Sequence, residues 1–163
     1  MGNHSTPMIA FITSFIFVTL PGCGATEGSS PPASDDEAPT KVSQPLNGGP
    51  WTWVNAATGR CLDSSDDDVY TLPCNGGSYQ RWIDSQNSYG DQIQNLATGY
   101  CLDSDGDVYT IPCNGGNFQR WTVRSTPTGW EIKDVATQFC LDSNTGGDVY
   151  TLPCNGGKFQ RWY

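Results

Sequence analysis

A chain of 163 residues, 36% of them hydrophobic, holds enough material for one domain with a genuine core. Its 17 acidic against 8 basic side chains give a formal net charge of −9, which excludes the Lys- and Arg-rich surface of a nucleic-acid binder. The single histidine, His4, stands near the N-terminus, which excludes a Ser-His-Asp triad in the body.

In chain order, the first element is a mostly apolar run, MIAFITSFIFVTL (8–20), too short to span a bilayer comfortably and ended by Pro21 and Gly22. Residues 1–22 therefore read as an export signal, one without Lys or Arg ahead of its apolar run. LPGC (20–23) resembles the lipobox of bacterial lipoproteins. That resemblance implies cleavage before Cys23, with Cys23 as the lipid-bearing first residue of the mature chain. Ordinary cleavage near Ala25, releasing a free secreted protein, is the alternative. MGNHST also fits the N-myristoylation pattern at Gly2, a cytosolic reading that the cysteine usage below opposes. Residues 23–46 are rich in Ser, Pro, Ala, Asp and Glu, bury almost nothing, and read as a disordered acidic tether.

The body, 47–163, writes one phrase three times: YTLPCNGGSYQRW (70–82), YTIPCNGGNFQRW (109–121) and YTLPCNGGKFQRW (150–162). Gln80, Gln119 and Gln160 space the units by 39 and then 41 residues, a period that calls for a repeat architecture. The units run over about 47–86, 87–126 and 127–163. In each, an apolar pair precedes Asn or Asp, then AT, CLDS, an acidic loop, DVYT, PCNGG, an aromatic and QRW. Short apolar stretches between Gly, Asn, Asp and Pro predict strands and turns, and no segment sustains a 3.6-residue period. The predicted class is all-β. A closed threefold arrangement, in which the end of the third unit pairs with the start of the first, removes the strand edges that an uncapped solenoid leaves exposed.

Trp82, Trp121 and Trp162 are expected to fill a core with Leu62, Leu102, Leu141, Val69, Val108 and Val149, each indole N–H needing a local acceptor. Gln80, Gln119 and Gln160 are expected to tie strands together. Six of the seven cysteines fall two to a unit. Fifteen pairings are possible, but the repeat reduces them to one symmetric solution: Cys61–Cys74, Cys101–Cys113 and Cys140–Cys154. A zinc site fits poorly, because the ligand spacing is wrong and no histidine helps. Disulfides place the body outside the cytoplasm.

Three units of about 40 residues, each closing on Gln-x-Trp, resemble the ricin-type β-trefoil lectins over 47–163. The wording LDS…VYTLPCNGG-x-(Tyr/Phe)-Gln-x-Trp is nearer still to the actinohivin-like members of that superfamily, which recognise high-mannose glycans. The resemblance implies a β-trefoil with pseudo-threefold symmetry and one mannose pocket per unit. The implied pockets are Asp63, Tyr70 and Asn75; Asp103, Tyr109 and Asn114; and Asp142, Tyr150 and Asn155. Tyr79, Phe118 and Phe159 are implied as contacts to a neighbouring sugar. The chemistry suits these residue types: a carboxylate accepts from vicinal hydroxyls, an amide donates and accepts, and an aromatic face covers the C–H side of a sugar ring. Turn chemistry explains Gly76 and Gly77 after Asn75, but not one Asp in every unit.

The expected protein is a glycan-binding monomeric head without cofactor or metal, touching membrane through the lipid anchor alone. A galactose- or other polysaccharide-binding module of the same fold, or a structural trefoil that binds proteins, are the alternatives. The loops after LDS are SDDD, DGD and NTGGD, and all lack the aromatic of actinohivin-like repeats, so three sites of unequal affinity are expected. DSDGD (103–107) looks like the start of an EF-hand, but its Gly stands fourth, no Glu follows at position twelve, and the other units do not repeat it. A glycosidase is not expected: Glu131 is the one glutamate of the body, and the aspartates follow the repeat instead of meeting in one cleft.

Overall fold

Short apolar stretches separated by Gly, Asn, Asp and Pro give short strands, four to six residues long. A computed structural model describes residues 48–163; the export signal, Cys23 and the tether lie outside the described residues. Eleven strands follow one another: β1 Gly48–Trp51, β2 Cys61–Ser65, β3 Asp68–Leu72, β4 Trp82–Asn87, β5 Gly90–Asn95, β6 Cys101–Ser104, β7 Val108–Ile111, β8 Trp121–Thr126, β9 Gly129–Asp134, β10 Cys140–Ser143 and β11 Val149–Leu152. Single turns of 3-10 helix at Ser78–Gln80, Asn117–Gln119 and Lys158–Gln160 carry the repeated aromatic and glutamine. The fold is an all-β trefoil.

Two sets of hairpins build it. CLDS pairs with VYT in β2–β3, β6–β7 and β10–β11, which form a cap. β4–β5 and β8–β9 form two thirds of a barrel. The last third joins the two ends of the body: Asn55 bridges Trp162, and Val54 and Tyr163 exchange backbone hydrogen bonds of 2.9 Å. The three cap hairpins lock cyclically. The Thr110 hydroxyl donates to Asp66 O, that of Thr151 to Gly106 O and that of Thr71 to Gly147 O, so each hairpin loop holds the next unit. Backbone bridges Tyr70–Asp148 and Asp107–Tyr150, with the β3–β7 pairing, link the three cap hairpins in a ring.

Period-two alternation puts Leu62, Leu102, Leu141, Val69, Val108 and Val149 inside, with Trp53, Ile93 and Ile132 from the barrel and the three QRW tryptophans. Trp82, Trp121 and Trp162 are fully buried, and their indole N–H groups donate to Leu62 O, Leu102 O and Leu141 O at 3.0–3.2 Å. The sequence expectation of core tryptophans with a local acceptor matches this packing. Symmetry fails at the Ser–Thr contact of the third cap hairpin. Ser64 bonds Thr110 and Ser104 bonds Thr151 at 3.1 Å, whereas the buried Ser143 hydroxyl finds no partner.

Disulfides join Cys61 to Cys74, Cys101 to Cys113 and Cys140 to Cys154, closing separations of 13, 12 and 14 residues. Loops of this size are each worth about 3 kcal/mol in the chain-entropy description. Replacing Cys101 and Cys113 together by serine is expected to lower unfolding stability by roughly that amount, read by urea titration. Non-reducing peptide mapping of the parent is expected to return these three pairs, and a bridge between units in that map rules this pairing out.

Candidate functional site

The repeated polar residues assemble beside each cap hairpin. In the antiparallel register Asp63 lies directly opposite Tyr70, Asp103 opposite Tyr109 and Asp142 opposite Tyr150. Directly opposed residues point to the same side of a sheet, so every unit presents one carboxylate beside one phenol. The phenols are half-buried, while the aspartates, 4% exposed, show little more than an oxygen edge.

The glutamine of QRW is the clasp of the site. Gln80 Nε2 donates to Asp63 Oδ2 at 2.8 Å and to Pro73 O at 3.2 Å, and Gln80 Oε1 accepts from the Asn75 N–H at 2.8 Å. Gln160 repeats all three bonds, to Asp142 at 2.9 Å, Pro153 and Asn155. Gln119 holds Pro112 and Asn114. In the first and third units one buried amide thus fixes the Asp-bearing strand against the Cys-Asn-Gly-Gly loop, and in every unit a disulfide ties the same two segments, in the first two residues from Asp63 and one from Asn75.

The Asn-Gly-Gly loop is built by local chemistry. Asn75 Oδ1 accepts from the Gly77 N–H at 2.7 Å, and Asn114 and Asn155 do the same with Gly116 and Gly157. Gly76 stands at φ +72°, where a side chain is strained, and a Cβ on Gly77 meets Asn75 Oδ1 at 2.9 Å. Both glycines are needed. One lone pair of each Asn Oδ1 is therefore engaged by its own turn, while Nδ2 is the side chain's donor. Tyr79, Phe118 and Phe159 project on the surface next to the clasp, 39–48% exposed.

Electrostatics couple the paired groups. Burial, and then the charges of Asp103 and Asp105, push the Tyr109 hydroxyl pKa up. Burial, Asp142 and Asp148 do the same to Tyr150. Burial raises Asp142, and the hydrogen bonds from Gln160 and the Ser143 N–H pull against it. Neighbouring units complete each wall: Asp68 pairs with Tyr109, Asp107 bridges Tyr150, and Asp148 bridges Tyr70. The site as a whole is acidic, with carboxylates and phenols suited to ligands rich in hydroxyl donors.

Sequence reasoning missed two sets of residues. Asn55, Asn95 and Asp134, ahead of each AT, are wholly buried turn-builders, and the side chains of the two asparagines reach across to the neighbouring unit. Their signal, Asn or Asp at the same place in every unit, was visible but carried no role. Asp84 and Asp91 are buried in the barrel, and nothing in the repeat marks them, because the equivalent residues are Val123 and Trp130. Among the described residues, Glu131 with Cys140 and Cys154 forms a grouping of metal-ligand types. Its sulfurs are joined in a disulfide, and Glu131 holds Arg124 at 2.7 Å and Arg161 at 3.1 Å, so the set has no thiolate to give.

Two family models match the sequence along the body. That of the ricin-type β-trefoil lectin domain matches residues 89–163, and that of the ricin-type β-trefoil lectin domain-like family matches 41–110. Among solved structures, the designed threefold-symmetric protein ThreeFoil superposes with a TM-score of 0.63 at 24% identity, over 68% of this chain and 94% of its own. The Macrolepiota procera ricin B-like lectin, solved in complex with lactose, gives 0.59 at 18% identity, over 69% and 93%. An exo-β-1,3-galactanase from Clostridium thermocellum gives 0.61 at 25% identity over 68% of this chain, which spans 29% of that enzyme.

Proposed function

We propose that residues 47–163 form a multivalent lectin head with one pocket per unit, directed at mannose-type glycans. The observation that carries this reading is the threefold recurrence of a buried carboxylate opposite a phenol beside an Asn-Gly-Gly loop with an aromatic at its rim, the carboxylate being clasped by glutamine in the first and third units. Core packing accounts for the tryptophans and turn chemistry for the glycines. Neither requires an Asp–Tyr pair in all three units.

In this reading Asp63, Asp103 and Asp142 accept from a pair of sugar hydroxyls, Asn75, Asn114 and Asn155 donate, and Tyr70, Tyr109 and Tyr150 cover the ring. Tyr79, Phe118 and Phe159 touch the next sugar of a branched chain. Mannose is the finer part of the proposal and rests on the likeness of the CLDS…VYT…CNGG wording to actinohivin-like repeats. Lectin matches along the chain support the broader part. The three disulfides suit a compartment outside the cytoplasm, and the head is proposed to stand on an acidic tether behind an export signal, held to a membrane by lipid on Cys23.

A glycan array with oligomannose, galactoside and neutral polysaccharide probes tests both levels, with and without EDTA. Strong oligomannose signals unaffected by chelation are expected. A single shallow pocket is expected to bind a monosaccharide on the order of millimolar. Galactoside signals alone replace mannose by the ligand class of the lactose-bound neighbour. No signal from any glycan refutes the lectin reading, and loss of binding in EDTA replaces the metal-independent reading by a cation-dependent one.

A further inference from the structure

Asn55, Asn95 and Asp134 occupy one place in the three units, and their surroundings repeat. Their N–H groups donate to Arg60 O, Tyr100 O and Phe139 O at 2.8–2.9 Å. The next residues, Ala56, Leu96 and Val135, donate to Arg161 O, Arg81 O and Arg120 O at 2.8 Å. Oδ1 accepts from the turn that follows, from Ala57 and Thr58, from Ala97 and Thr98, and from the Thr137 N–H and hydroxyl.

The fourth atom differs. In the asparagines it is Nδ2, which donates to the carbonyl of the rim aromatic of the neighbouring unit: Asn55 to Phe159 O at 2.7 Å, Asn95 to Tyr79 O at 2.8 Å. In Asp134 it is Oδ2, buried without a hydrogen-bond partner, and the threefold counterpart of those carbonyls is Phe118 O. Two acceptors in that place repel unless a proton stands between them.

We propose that Asp134 is held as a carboxylic acid whose O–H donates to the Phe118 carbonyl, and that this proton positions the Asn117–Gln119 turn of the second pocket. The pocket half of the inference rests on the lectin reading; the proton does not. Burial, the leading influence, raises the Asp134 pKa; the Thr137 and Ala136 bonds lower it and the Asp103 charge raises it. Asp103, on β6, is the charged group that acts on it from a packed element. Arg120 lies one residue before Trp121, which pairs with Asp134, and Lys133 on its own strand is engaged by Gln138 Oε1 at 2.9 Å. An ionised Asp134 is a charge with no exposed surface and one bonded oxygen, a costly state that the protonated form avoids. When the proton leaves, the hold on the turn carrying Phe118 and Gln119 is lost, and Gln119 Oε1 fixes the Asn114 N–H of the same pocket. The second pocket is therefore strongest in mild acid.

Two measurements on the folded head decide this. Carboxyl-carbon NMR, assigned by comparison with Asp134→Asn, is expected to show Asp134 titrating well above the ordinary value of about 3.9. Titration at or below that value overturns the proposal whatever the protein binds. With Asp63→Ala and Asp142→Ala silencing the other pockets, calorimetry with an oligomannoside is expected to give several-fold tighter binding at pH 5 than at pH 8. Adding Asp134→Asn, the residue the other units already use, is expected to keep the pH 5 affinity at both values. The positioning role is overturned if that variant retains the pH ratio of its parent, or if no oligomannoside binds in either background, an outcome that leaves the carboxyl titration to judge the proton alone.

Discussion

Replacing Asp63, Asp103 and Asp142 together by alanine is expected to abolish binding to a mannan surface while the head stays folded. Each change removes the carboxylate of one proposed pocket, and a charge-assisted hydrogen bond of this kind is worth about 1.5–3 kcal/mol, roughly ten- to a hundredfold at its own site. Three pockets on one rigid head multiply through avidity, which for linked sites reaches ~10²–10⁴. Weakening all three therefore takes multivalent binding below detection, and Asp142→Ala alone lowers it markedly. The fold is expected to survive because Gln80 and Gln160 keep their Pro73 and Pro153 acceptors and their Asn75 and Asn155 donors, and the disulfides hold the same segments. Each lost Gln–Asp bond costs on the order of 1 kcal/mol. Surface plasmon resonance on mannan, with near-UV circular dichroism as the folding control, reads the result. A triple variant that is folded and binds like the parent puts the sites elsewhere.

Asp84→Val is expected to flatten the dependence of stability on pH. Asp84 is buried, and neither carboxylate oxygen has a hydrogen-bond partner. Burial first, and then the charge of Asp91 across the hairpin, push its pKa from 3.8 to about 7. Burial also raises Asp91, against the Val123 N–H and Gln86 bonds. The folded head holds the Asp84 proton more tightly than the unfolded chain does. Its contribution is therefore fully present below about pH 4 and is lost as the pH rises through about 7. The shift corresponds to about 4 kcal/mol between those limits. Valine is what the second barrel hairpin carries in the same register, as Val123 opposite Ile132 where Asp84 stands opposite Ile93. Urea unfolding at pH 4.5 and pH 8 is expected to show the parent several kcal/mol weaker at the higher pH, with a smaller loss in Asp84→Val, whose remaining pH dependence comes from the raised Asp91, Asp134 and Asp142. Equal losses in parent and variant exclude Asp84 as the source.

The amino-acid sequence by itself determined the period, the threefold closure and the chemistry of the core. A phrase written three times admits few arrangements: it pairs Cys61 with Cys74 as it pairs Cys140 with Cys154, and it puts each QRW tryptophan in an equivalent place against a Leu and a Val. The order and spacing of residues carry this information because it is local or repeated. Tertiary structure alone decided what each polar side chain does, since that depends on atoms brought from elsewhere. Gln80 clasps Asp63 from 17 residues away, and Thr71 takes Gly147 from 76. The Asp84–Asp91 pair and Asp134 stand out only once burial is known. An aspartate in a strand or turn reads as solvated until packing removes the water from it, and desolvation is a property of the whole fold that no short stretch encodes.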